Sequence, residues 1–133
     1  FKPIVFAQIM TPQGAERDLG ENISTLVKNA KYGDRNLENA CRRLRNKSSF
    51  FNYCFVYDDQ VAPTITAHCN NIRWNDKRYL SKEDIIAIST FPQDFNFLSE
   101  NLDNIAYVCG MSVPPVMIKR VAEKLIPYLK SEV

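Results

Sequence analysis

Glycine is scarce in this chain, four in 133 residues, and histidine and tryptophan occur once each. The cysteines include no C-x-x-C pair, and the sole His68 adjoins Cys69, so the ligand spacing of a structural zinc site is missing. Unbroken apolar runs extend only a handful of residues, far short of the roughly 20 that cross a bilayer, which predicts no membrane partner. The opening Phe1-Lys2-Pro3-Ile4-Val5-Phe6 has neither an initiator Met nor a basic-then-apolar signal pattern. The chain therefore reads as a piece of something longer. What is present is ordinary: 45% hydrophobic residues, 24% charged residues and a net charge of +2 fit a globular domain. A chain this long has enough interior for one modest core.

Cys41, Cys54, Cys69 and Cys109 lie far apart in sequence. A disulfide framework is arithmetically open, but a chain of this length folds without staples. Free structural thiols in a reducing cytosol are the expectation. The near-neutral charge conceals one concentration, Arg42-Arg43-Leu44-Arg45-Asn46-Lys47. Such a run serves either as the solvated face of a helix or as a phosphate-contacting patch.

Residues 3–9 are apolar and rich in β-formers, which predicts a short strand before a polar loop marked by Pro12, Gly14 and Gly20. Asp34 is placed to cap a helix in which Leu37, Ala40, Cys41 and Leu44 form one apolar stripe. Residues 50–56 and 62–67 read as extended runs, the second confined to an edge or a strand start by Pro63. Ser81 and Asp84 have capping-box spacing, and the helix they open should end before Phe91-Pro92. Phe91, Phe95 and Phe97 predict an aromatic knot. Pro114 and Pro115 suit the first turn of a final helix, with Met117, Val121 and Leu125 on a core-facing stripe and Pro127 ending or kinking it. The fold class is α+β, with short strands and a helical C-terminal third.

Three ordered segments then carry a resemblance. Gly110-Met111-Ser112-Val113-Pro114-Pro115 with its helix resembles the last motif of the DNA cytosine-5 methyltransferases, G-N-S-V-P-P. Arg78-Tyr79-Leu80-Ser81-Lys82-Glu83-Asp84 followed by Phe91-Pro92-Gln93-Asp94-Phe95 is similar to the preceding motif, R-x-L-T-x-R-E with F-P-D-D-F. Pro63-Thr64-Ile65-Thr66-Ala67 is similar to the P-T-I-T-A segment that closes the target-recognition region. Together they span about residues 42–130. Met111 stands where the family has Asn, and Glu83-Asp84 where it has Arg-Glu. The Pro-Cys nucleophile, the Glu-Asn-Val base holder, the F-x-G-x-G cofactor loop and the Gln-x-Arg-x-Arg segment do not occur in these residues.

The resemblance implies a target-recognition region over 1–77, and C-terminal motifs with a final helix over 78–133 that rejoins a catalytic half. It implies double-stranded DNA and that catalytic half as partners, and S-adenosylmethionine as a cofactor shared with that half. Nucleophile, base holder and cofactor must be held together for this chemistry, so residues 1–133 alone are expected to be inactive. Ser112 and Val113 would open the last helix beside the cofactor, their amides favouring its carboxylate; Ser112 as a plain helix cap is the competing role. Thr64 and Thr66 would face DNA with His68, Asn70 and Asn71 at the tip, where the asparagines serve either base edges or turn chemistry. Arg42, Arg43, Arg45, Lys47, Arg73 and Arg78 are phosphate candidates, Arg78 equally a structural ion-pair partner. Trp74 reads as a packed aromatic rather than a wedge between bases. Two alternatives remain: a recognition subunit of a two-chain methyltransferase, or a stand-alone DNA-binding module without catalysis.

Overall fold

The computed structural model describes residues 2–131; Phe1 and residues 132–133, the outer ends of the two expected regions, lie outside it. Its elements are a 3-10 turn Phe6–Gln8, α1 Glu21–Lys28, α2 Leu37–Arg45, β1 Phe55–Val56, β2 Ile72–Arg73, α3 Lys82–Ile88, α4 Leu102–Met111 and α5 Pro115–Lys130. Helices with one small sheet make an α+β chain, as expected. β1 and β2 run parallel, Phe55 opposite Ile72 and Val56 opposite Arg73. Parallel neighbours need a crossover of a dozen or more residues, and residues 57–71 supply it. This explains why 62–67 is not the predicted strand: it lies inside the crossover, and Pro63 lacks a ladder donor.

The predicted strand at 3–9 is also absent. The Phe6 and Ala7 amides donate to Gln60 and Asp58 carbonyls at 2.8 and 2.9 Å, and the chain then coils into the 3-10 turn. Consecutive amides committed to one turn cannot alternate as a strand ladder requires. α2 forms where expected, but Asn36 caps it, accepting from the Glu38 amide at 3.0 Å. Asp34 instead receives Arg43. Leu37, Ala40 and Cys41 are buried, whereas Leu44 is exposed, one turn past the edge of the core. α1 went unforeseen because its apolar positions, Ile23, Leu26 and Val27, sit among polar residues; they are buried in its contact with α2. α3 has the predicted reciprocal cap, Ser81 Oγ accepting from the Asp84 amide and Asp84 Oδ2 from the Ser81 amide, both at 3.1 Å.

Two apolar clusters replace the single expected core. One joins Leu26, Leu37, Cys41, Phe55, Ile72 and Tyr79, flanked by Trp74. The other joins Phe6, Val56, Ile65, Leu80, Ile85 and Ala106, so it draws on both sides of the 77/78 junction. The aromatic knot exists as predicted, with Phe91, Phe95 and Phe97 centroids 4.8 to 5.2 Å apart. Trp74 is packed, 5.1 Å from Phe55 and 5.3 Å from Tyr57. All four cysteines are free.

α5 contradicts its predicted burial. Pro115 does occupy its first turn, but Pro127 neither ends it nor stops it from reaching Lys130. It has no buried residue: Met117 is 56% exposed, Val121 48% and Leu125 53%. The stripe is apolar, as expected, but the described residues leave it about half exposed. By length and composition Leu102–Lys130 would suffice to cross a membrane, although its unbroken apolar runs are short. It is nonetheless two helices, broken at residues 112–114, and α4 spends its apolar face on the core.

Candidate nucleic-acid interface

Within the crossover 57–71, residues 64–66 alternate as an extended chain should. Thr64 and Thr66 are exposed and Ile65, between them, is 6% exposed in the second cluster. The two threonine side chains therefore share one outward face, anchored by the buried isoleucine. The Thr66 hydroxyl donates to the His68 carbonyl at 3.4 Å, turning the chain at its tip. His68 is exposed and Asn70 half-buried. Asn71 departs from expectation: at 3% exposure it cannot read base edges. It has turned inward, its carbonyl oxygen accepting from Leu80 and its Oδ1 from the Cys69 thiol at 3.8 Å.

The tip faces α4 across a cleft of about 440 Å³ whose polar lining includes Arg17, His68, Asn70, Asp103, Asn104 and Tyr107. Arg17 pairs with Asp103 at 3.6 Å and lies over the Tyr79 ring at 5.2 Å. Only His68 and Asn70 of these six were singled out from sequence. Asn104 and Tyr107 are one helical turn apart, a signal available only once α4 is recognised as a helix. Burial pushes the neighbouring Cys69 thiol up to about 11, so it contributes a neutral wall and no nucleophile.

The basic candidates separate. Arg42 is exposed but bonds Glu38 at 2.9 Å, and Arg45 bonds Asn22 Oδ1 at 2.6 Å. Arg43 forks onto both oxygens of Asp34, which lowers that carboxyl below its ordinary value. Lys47 and Arg78 are exposed. Arg73 is withdrawn as a phosphate candidate because its side chain is fully buried, donating to Asp84 Oδ2 at 3.2 Å and to Thr11 Oγ1 at 3.1 Å. Arg73, not Arg78, makes the buried structural ion pair with Asp84. None of the α2 cations lines the cleft beside the tip.

Ser112 also differs from its expected placement. It caps the end of α4 and does not open α5: its amide donates to the Cys109 carbonyl at 3.3 Å and its hydroxyl to that of Val108 at 2.5 Å. Pro114 is the N-cap of α5, Pro115 has no amide hydrogen, and the Val116 amide donates to Thr90 Oγ1 at 3.1 Å. The start of α5 thus has few donors left for a carboxylate.

The profile of the C-5 cytosine-specific DNA methylase family matches residues 6–127. The chain belongs to that family. Comparison with curated proteins and with solved structures gave no match. Membership implies methyl transfer from S-adenosylmethionine to cytosine in DNA by the methylase as a whole. The residues present fit that cofactor as one apolar edge, since Met111, Val113 and Met117 are all more than half exposed. The Ser112 and Val116 amides are bonded within the chain and are not available to its carboxylate.

Proposed function

We propose that these residues form the recognition and C-terminal part of a DNA cytosine-5 methyltransferase, with 1–77 as target-recognition region and 78–133 carrying the last motifs. The observation that carries the reading is the outward face of Thr64 and Thr66, leading to His68 and Asn70 above a polar cleft. Hydroxyl, imidazole and amide groups there reach phosphate oxygens and base edges of duplex DNA. Lys47 and Arg78 supply exposed cations, and Arg42 and Arg45 exchange Glu38 and Asn22 for phosphates.

The catalytic half, bearing the Pro-Cys nucleophile, the base-holding acid and the cofactor loop, docks on the uncovered face of α5. That face continues into an apolar groove of about 470 Å³ lined by Ile4, Val61, Ile88, Val116 and Val121. Exposed apolar surface this contiguous marks an interface. S-adenosylmethionine, when bound, supplies the methyl group. Ser112 and Val113 then form one edge of its pocket, Ser112 by fixing the turn and Val113 by apolar contact.

A methyl-transfer assay on a cytosine-containing duplex tests this. Residues 1–133 alone should transfer nothing and bind DNA weakly and salt-sensitively; joined to the catalytic half they should support transfer, reduced by Thr66→Ala and by Ser112→Ala. Wild-type activity in both variants overturns the assignments.

A further inference from the structure

Gly110 is a glycine for lack of room, not for its backbone conformation. Positive φ among the glycines is confined to Gly20 and Gly33, so any residue could adopt the Gly110 backbone. A Cβ there, however, would sit 2.2 Å from the Thr66 carbonyl carbon, 2.4 Å from the Ala67 nitrogen and 2.5 Å from the Thr66 oxygen. All three are main-chain atoms, which cannot swing aside as a side chain does. The surrounding contact is made of small groups: Ala106 and Cys109 of α4 share a cluster with Ile65, and Ala67 and Ala106 both line the cleft beside the tip.

This peptide-on-glycine contact joins the two segments that the proposed function separates. Thr66 leads directly to His68 and Asn70. Gly110 leads directly to Ser112, whose hydroxyl and amide tie the turn back to the last carbonyls of α4. A shift of the α4 end therefore moves the turn and the width of the cleft together. We propose that Gly110 is a positioning residue, locking the cofactor-facing turn and the DNA-facing segment into one rigid unit so that occupancy at one favours the other. This rests on the proposed DNA and cofactor roles. Two ligands that order one shared unit are coupled, and the coupling is reciprocal.

The test uses the full-length methylase and reads duplex affinity by anisotropy with and without S-adenosylhomocysteine, and cofactor affinity with and without duplex. The wild type should show the same enhancement in both directions. Gly110→Ala should bring that factor close to one, a loss of about tenfold, with kcat falling more than KM. Should Gly110→Ala fail to fold, Ala67→Gly, which frees the same peptide without a clash, should lower the factor part-way. Val27→Ala, in the other apolar cluster, should lower the melting temperature and leave the factor intact. The proposal is overturned by unaltered coupling in the foldable variants, by an equal collapse in Val27→Ala, or by an active wild type with no coupling. A wild type that neither binds the duplex nor transfers methyl instead refutes the underlying functional reading, and does so before any variant is made.

Discussion

Arg73 and Asp84 form an ion pair with no exposed side-chain surface, Nη1 donating to Oδ2 at 3.2 Å. The pair links β2 to the first turn of α3, and Thr11 completes it: its amide and hydroxyl donate to Asp84 Oδ1 at 2.7 and 3.0 Å. Removing one partner of such a pair strands the other charge and costs about 3–5 kcal/mol. Arg73→Met should therefore lower unfolding free energy by that order in urea melts. The double variant Arg73→Met with Asp84→Asn should recover part of the loss, since the amide needs no counter-charge. A double variant as unstable as the sum of its singles would show that the pair is not coupled.

Acid stability should depend on Asp34. Arg43 bonds both of its carboxylate oxygens and the Lys31 amide donates to Oδ2 at 2.8 Å, which hold its pKa below the ordinary 3.8. A carboxyl depressed in the folded state stabilises fully above its unfolded pKa, and the contribution fades as pH falls through the folded value. The wild type should thus lose stability below about pH 3.8. Arg43→Gln should flatten that acid limb and raise the Asp34 pKa in a carbon-detected NMR titration. An unchanged Asp34 titration in the variant would remove Arg43 as the cause.

Thiol reactivity offers a separate check on burial. Cys69 is pushed up to about 11, and burial also raises Cys54 and Cys109 above 9.0. Folded protein at pH 8 should alkylate at Cys69 far more slowly than urea-unfolded protein, followed peptide by peptide by mass spectrometry. Because unfolding releases these thiols to ordinary values, stability should decline as pH rises from 9 toward 11. Rapid labelling of Cys69 at pH 8 would contradict its packing.

What could be read from the sequence divides by range. Signals within one turn were legible: the Ser81 cap of α3, the α2 stripe through Leu37, Ala40 and Cys41, Pro115 at the start of α5, and the aromatic knot. Non-local facts were not. Whether residues 62–67 pair in a sheet depends on where β2 lies, and Asn71 is buried in a stretch whose main chain bonds to Leu80, nine residues on. Arg73 and Arg78 look alike as letters, but only the first points at Asp84. The apolar stripe of α5 was equally legible, yet a stripe specifies that something covers it, not that the covering lies within the same residues.

That stripe yields a contrast. Val121→Asp and Leu125→Asp fall on exposed positions, and surface substitutions away from packed features change stability within about 0.5 kcal/mol. The melting temperature of residues 1–133 should barely move. With α5 docked on the catalytic half as proposed, the same charges would be buried in the full-length methylase, and assembly and methyl transfer should both fail. Equal activity of Val121→Asp and wild type would mean that α5 does not face that half.

Phosphate contacts and base contacts should separate in DNA binding. Lys47 and Arg78 are exposed cations on the surface, and each phosphate they neutralise releases counterions. Lys47→Gln and Arg78→Gln should each weaken binding evenly across duplex sequences and reduce the slope of log affinity against log salt by about one. Asn70 lies at the tip beside the cleft, where its side-chain amide is proposed to read base edges. Asn70→Ala should leave the salt slope intact and cost about 1–3 kcal/mol on the cognate duplex alone. A uniform loss across sequences in Asn70→Ala would reassign that residue from base reading to backbone positioning.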